Sequence, residues 1–162
     1  MGQKELLLTI GAIILFGIAS LTANQLMVRN SEAIYNRQAE FYAISVVQQY
    51  IGEAKTKAFD EKTIVGHPGS LPSGFSATLG PESGEVYPHF DDVDDFNGYT
   101  TTLTTNVGTM AITISVGYVN EANLDAVVGT PTYYKKIRVT AQSNYLSSPV
   151  QADYVVAYHR NP

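Results

Sequence analysis

LLLTIGAIILFGIASLTA, residues 6–23, carries no charged side chain. About 18 residues of helix at 1.5 Å rise span roughly 27 Å, just enough for a hydrocarbon core about 30 Å thick. Lys4 and Glu5 stand immediately before the run, and Asn24, Gln25 and Arg29 follow it. A secretory signal peptide would be shorter and end in a small-residue cleavage site. Ser20 and Thr22-Ala23 imitate such a site only loosely, and a helical pattern continues past them.

That continuation covers 25–59. Leu26, Val28, Ala33, Ile34, Phe41, Ile44, Val47, Tyr50, Ile51, Ala54 and Ala58 recur at mostly three- and four-residue steps, which predicts one broad apolar face. Arg29, Glu32, Arg37, Glu40, Glu53 and Lys57 fall largely opposite. No proline occurs before Pro68. The expectation is a single helix from 3 to 58, apolar all round over 1–24 and amphipathic over 25–59. Such a helix is about 80 Å long, more than a domain of this size encloses, so its apolar half must be buried by something else.

Residues 60–98 are punctuated by Gly66, Pro68, Gly69, Pro72, Gly74, Gly80, Pro81, Gly84, Pro88 and Gly98, and read as a connecting loop region with at most one short strand. From 99 to 162 the period changes to two. Tyr99–Val107 is threonine-rich. Thr109–Val119 places Met110, Ile112, Ile114, Val116 and Tyr118 on one face, and Tyr133–Gln142 places Tyr133, Ile137, Val139 and Ala141 inward. Ala152–His159 is a fourth run. An antiparallel four-stranded sheet covered on one side by the amphipathic helix half follows, giving an α+β fold.

The chain has 162 residues, 15% charged, a net charge of −5 and no cysteine. Disulfides, zinc thiolates and thiol catalysis are excluded, and the acidic balance offers nothing for wrapping nucleic acid. His67, His89 and His159 have no metal-ligand spacing. Gly-x-Ser-x-Gly and Walker glycine loops are absent. Phe16, Tyr35, Phe41, Tyr42, Tyr50 and Phe59 stand along the helix as core aromatics, while Tyr133, Tyr134, Tyr145, Tyr154 and Tyr158 are expected to pack the sheet or meet neighbouring chains. No residue set suggests an enzyme or a cofactor. Oxygen donors on alternating residues before a glycine make Asp92, Asp94 and Asn97 a weak calcium candidate. The stretch lacks a full loop and closing glutamate, and a solvated turn, with Asn97-Gly98 leading into a strand, explains it as well.

The whole arrangement resembles the type IV pilins and related pseudopilins. Two stretches carry the likeness: MGQKELLLTIGAIILFGIASL, with Glu5 followed directly by the apolar run, and FDDVDDFNGYTTTLT with the later YYKKIRVTAQS. Family members show a glutamate at the fifth place once their leader is removed. This chain fits as a processed form beginning at Met1, or as one from a lineage that assembles without the usual basic leader ending in glycine. It also lacks the proline many bacterial pilins carry near Thr22, although Gly11 and Gly17 would ease local unwinding. The C-terminal disulfide loop of many pilins cannot form.

The resemblance implies a homopolymer of many copies, a stay in the inner membrane, extraction by an ATP-driven pilus assembly machinery, and a final place in a cell-surface filament. It implies that Glu5 pairs with a neighbour's α-amino group at Met1 and sets the axial register. Leu6, Leu7, Ile10, Ile13, Ile14, Phe16, Ile18 and Leu21 would then pack among copies of themselves. Uses in adhesion, motility or uptake, and a pseudopilin of a secretion system, all remain open. A single-pass anchored binding module is the reading from another class.

Overall fold

The leading run and the pattern behind it form one helix, α1, Gln3–Ala54, in a computed structural model that describes residues 2–66 and 69–159. Several hydroxyls inside it are satisfied locally. Thr9 donates to the Glu5 carbonyl at 2.7 Å, Thr22 to Ile18 at 2.8 Å and Ser31 to Met27 at 3.0 Å, so the hydroxyls need no water. By its contacts the chain divides into two units, Met1–Gln38 and Ala39–Pro162.

In the second unit α1 buries Ala39, Ala43, Val47, Tyr50 and Ala54. The steps of four, four, three and four make a stripe along one helix face. The stripe is narrower than the predicted face. Val47, Tyr50 and Ala54 lie on it as expected, whereas Phe41 is 72% exposed and Ile44 43%. Alanines let the helix backbone approach its covering layer, and the larger side chains were left outside. The helix also ends four residues before the predicted Ala58. The chain turns there to bury Phe59 and Asp60, and Ala58 pairs with Asp92 in an isolated parallel bridge.

The sheet is antiparallel and has five strands rather than four: β1 Thr100–Thr105, β2 Gly108–Asn120, β3 Asn123–Val128, β4 Tyr134–Ser143 and β5 Val150–Ala157. The order is β1-β2-β4-β5, with β3 paired to the end of β2 through Tyr118↔Val128 and Val119↔Val127. β3 escapes a sequence reading because only Val128, at its end, is other than exposed, so no alternation marks it. Gly117 is the contact that seats this hairpin: a Cβ there would come within 2.7 Å of Val127. The inward residues of β2 and β4 face each other in register, Ile112↔Ala141, Ile114↔Val139 and Val116↔Ile137, and all six are buried. Phe90, Val93 and Phe96 complete this core. Tyr133, expected inward, precedes β4 and is 41% exposed, against Phe75 and Tyr158.

Residues 60–98 hold a five-residue helix, α2 Glu61–Val65, and a short 3-10 turn, Asp94–Phe96, in place of a strand. Gly98 follows with φ +81°, a left-handed value that favours glycine, and delivers the chain into β1.

Truncating the fully buried Ile137 to alanine is expected to cost about 2–5 kcal/mol. Truncating the exposed Phe41 should cost no more than about 0.5 kcal/mol. Thermal melts of the full chain in detergent, followed by circular dichroism, would separate the two.

Candidate functional site

The predicted assembly residues lie on the first turns of α1. Leu6, Leu7, Leu8, Ile10, Ile13, Ile14, Leu15, Phe16, Ile18 and Leu21 are all exposed, from 47% for Ile10 to 77% for Phe16. None of the most apolar 18-residue window is buried within the chain, and the helix is long and apolar enough to cross a membrane. The exposed apolar series continues through Leu26, Met27, Val28, Ile34 and Tyr35. Glu5 sits in the first helical turn, where one carboxylate oxygen accepts the Gly2 N–H at 3.0 Å. That bond satisfies an otherwise unpaired helix-start donor and places negative charge at the positive end of the helix dipole. Met1, its expected partner from a neighbouring copy, lies outside the described residues, as does His67. His89 and His159 are exposed.

A second constellation lies in the other unit, where FDDVDDFNG is folded inward rather than solvated. Asp92, Asp94 and Asp95 are all at most 1% exposed. Asp92 Oδ1 accepts the N–H groups of Asp94 (2.7 Å) and Asp95 (3.2 Å), and Asp95 Oδ2 accepts those of Asp91 (2.9 Å) and Asp92 (3.1 Å). Two carboxylates thus hold the turn closed from opposite ends.

Lys135 meets this turn from β4. Its ammonium is fully buried and donates to the Phe59 carbonyl (2.6 Å), Asp60 Oδ2 (2.9 Å) and Asp94 Oδ1 (2.5 Å), which uses all three N–H bonds. The Phe59 ring lies 4.6 Å and the Tyr118 ring 5.3 Å from it, adding cation–π attraction. Asp60 also accepts Ser76 N–H at 2.9 Å and caps α2 through the Lys62 N–H at 3.2 Å. Tyr118 donates to the Ser76 carbonyl at 2.8 Å and lies 3.2 Å from Asp60. Lys135 was missed from sequence although its parity matches that of Ile137, Val139 and Ala141 on the inward face of β4. A lysine in an inward register beside a buried acidic turn is the signal that finds it.

Burial pushes the Asp60 carboxyl up, but the Lys135 charge and hydrogen bond, with the Ser76 and Lys62 N–H groups, outweigh it and hold the group below its ordinary value. Asp94 goes the other way, to about 8: burial dominates and Asp92 adds to it, against the opposing pull of Lys135. Asp92 is raised by burial and by Asp95. The physical cause is imbalance, since four buried aspartates share one buried ammonium at this cluster.

The calcium candidates are not brought together as ligands. Asn97 spends its oxygen on the Val116 N–H (3.0 Å) and its amide on the Leu79 carbonyl (3.0 Å), and Asp94 is taken by Lys135. The carboxylates that do converge are those of Glu82, Glu85 and Asp95, one oxygen of each lying within 4.8 Å of the others. Sequence reading passed over Glu82 and Glu85 because they sit in an irregular loop with no ligand spacing.

No protein-family model, curated protein or solved structure matches the chain.

The directions above fix the sign of the pH response. The raised Asp94 and Asp92 favour the folded state while protonated, a contribution that is full below about pH 4 and is lost progressively as pH rises from there toward 8. The depressed Asp60 contributes above the ordinary carboxylate range, and that stability is lost as pH falls below about 4. Melting temperature in EDTA should therefore peak at about pH 4 and fall on both sides. Lys135→Met, which strands Asp60, should cost about 3–5 kcal/mol near neutral pH.

Proposed function

We propose that the chain is the structural subunit of an extracellular helical filament of the type IV pilin kind, assembled through α1, and not an enzyme. The observation that carries the reading is the uncovered apolar surface of α1 from Leu6 to Leu21. Each of these large side chains gains roughly 1.5–3 kcal/mol on full burial. A bilayer can cover them in the unassembled chain, held in the inner membrane until an assembly machinery extracts it. Copies of the same helix can cover them in a filament, where identical surfaces related by a screw operation form an open fibre.

A single-pass anchor accounts for residues 6–23 equally well but leaves the rest of the exposed series unexplained. Leu26, Met27, Val28, Ile34, Tyr35, Phe41 and Ile44 extend apolar surface past a hydrocarbon thickness of about 30 Å. Packing against other helices gives these side chains a use, which favours the polymer over the anchored module. Glu5 supplies the specificity. A carboxylate entering an apolar bundle must be paired, and in the filament reading it exchanges the Gly2 N–H of its own chain for the α-amino group of a neighbour's Met1.

Negative-stain microscopy of sheared cell-surface material, with mass spectrometry of the N-terminal peptide, tests this. Long filaments containing the chain are expected, and Glu5→Ala should abolish them while leaving the chain in the membrane at an unchanged level. Filaments too short to shear would favour the secretion-system pseudopilin. Chains that remain separate in detergent, with every surface fibre retained after the gene is deleted, would sink the reading.

A further inference from the structure

We propose that Glu82, Glu85 and Asp95 form a binding site for a hard divalent cation, calcium in preference to magnesium. Three carboxylates alone would be an ordinary acidic patch. The feature that separates this group is Asp95, 1% exposed, whose Oδ2 is held by two backbone N–H groups while its Oδ1 is buried without a hydrogen-bond partner among the described residues. A buried carboxylate oxygen left unpaired is costly, and here one carboxylate oxygen of Asp95 lies within 4.8 Å of one from each of Glu82 and Glu85.

The surroundings deepen the imbalance. Asp92 Oδ2 and Glu61 Oε2 are also buried and unpartnered among the described residues. The Glu82 carboxyl is pushed up to about 7, by burial first, then by the Glu85 carboxylate beside it and the charges of Asp95 and Asp92. Lys135, the buried ammonium at this turn, spends its three donors on Phe59, Asp60 and Asp94, and none on Asp95. A double positive charge among the three oxygens would relieve these strains together.

The donor set favours calcium. Calcium takes oxygen ligands in flexible geometry, whereas magnesium demands a near-ideal octahedron, dehydrates reluctantly and is usually held by only one or two carboxylates. Three protein carboxylates, from Glu82, Glu85 and Asp95, suit the larger ion, with water filling its remaining positions. Glu85 and Asp95 also line a cavity of about 380 Å³, together with Tyr87 and Tyr99, which gives the ion and its waters a way in. Bound there, the ion would tie the Glu82–Glu85 turn to the acidic turn and fasten the loop region to the sheet.

Terbium luminescence of the full chain in maltoside detergent, stripped with EDTA, provides the test, because Tyr87 and Tyr99 stand ready to sensitise a lanthanide. Tyrosine-excited terbium emission should appear and be displaced by calcium at about 0.1–1 mM, the range of extracellular calcium modules. Magnesium should be at least ten times less effective. Glu82→Gln, at an exposed position, and Glu85→Gln, half-buried in the same turn and still able to accept the Glu82 N–H, should each weaken calcium about tenfold or more. Glu121→Gln, in the β2–β3 turn, should leave it unchanged. Absence of sensitised emission, equal displacement by magnesium, or calcium affinity unaltered in Glu82→Gln and Glu85→Gln chains with normal circular dichroism would overturn the proposal.

Discussion

Four parts of the second unit meet at one ammonium group. Lys135 of β4 holds the Phe59 carbonyl beyond the end of α1, the Asp60 side chain that caps α2, and the Asp94 side chain of the 3-10 turn. The loop region 60–98 is also attached to the sheet by Phe90, Val93 and Phe96 in the core and by the Asn97–Val116 and Tyr118–Ser76 hydrogen bonds, but only Lys135 draws three of its neighbouring segments to one point. A lysine is suited to the place because its three donors radiate from one point and can serve three unrelated segments. The ion pairs are weak evidence for net stability, because desolvation offsets much of their attraction. Their consequence is specificity: Phe59, Asp60 and Asp94 can sit in only one arrangement without stranding a charge.

Most of the regular elements were legible in the sequence. β2 and β4 follow an apolar spacing of 2 and the second half of α1 one of 3.6, while β1 was read from its threonines, β5 as a β-prone run and the first half of α1 from its unbroken apolar length; the inward residues of β2 were read correctly from Met110 to Tyr118. What could not be read has common physical causes. Ala39 and Ala43 are buried because they are small, so a reading weighted toward large side chains preferred Phe41 and Ile44. β3 lies along an edge of β2 with almost no burial, so its side chains show no alternation. The acidic turn looked soluble because its partner Lys135 is 41 residues away from Asp94 in sequence, and nothing local to the turn announces the pairing.

The two units solve the problem of apolar surface in different ways. The second unit has its own core, with Ile112, Ile114, Ile137, Val139 and Ala141 covered by Val47, Tyr50 and the Phe90–Phe96 segment. The first unit has no such cover among the described residues, and the hydroxyls of Thr9, Thr22 and Ser31 are already turned back onto helix carbonyls. A helix with its backbone and hydroxyl groups satisfied internally is indifferent to whether lipid or other helices surround it. That indifference is what a subunit needs if it is to wait in a bilayer and then leave it.

Glu5 is the exception to that indifference, and its position makes it informative. In the isolated chain its carboxylate has the Gly2 N–H and otherwise solvent. Neither lipid tails nor a bundle of leucines and isoleucines can solvate it. A monomer in a membrane keeps it at the interface, where water reaches it, and gains nothing further. A polymer that draws α1 into its interior must offer a positive partner at a fixed axial distance, so the energetic demand of one side chain becomes a constraint on where each copy can stop along its neighbours.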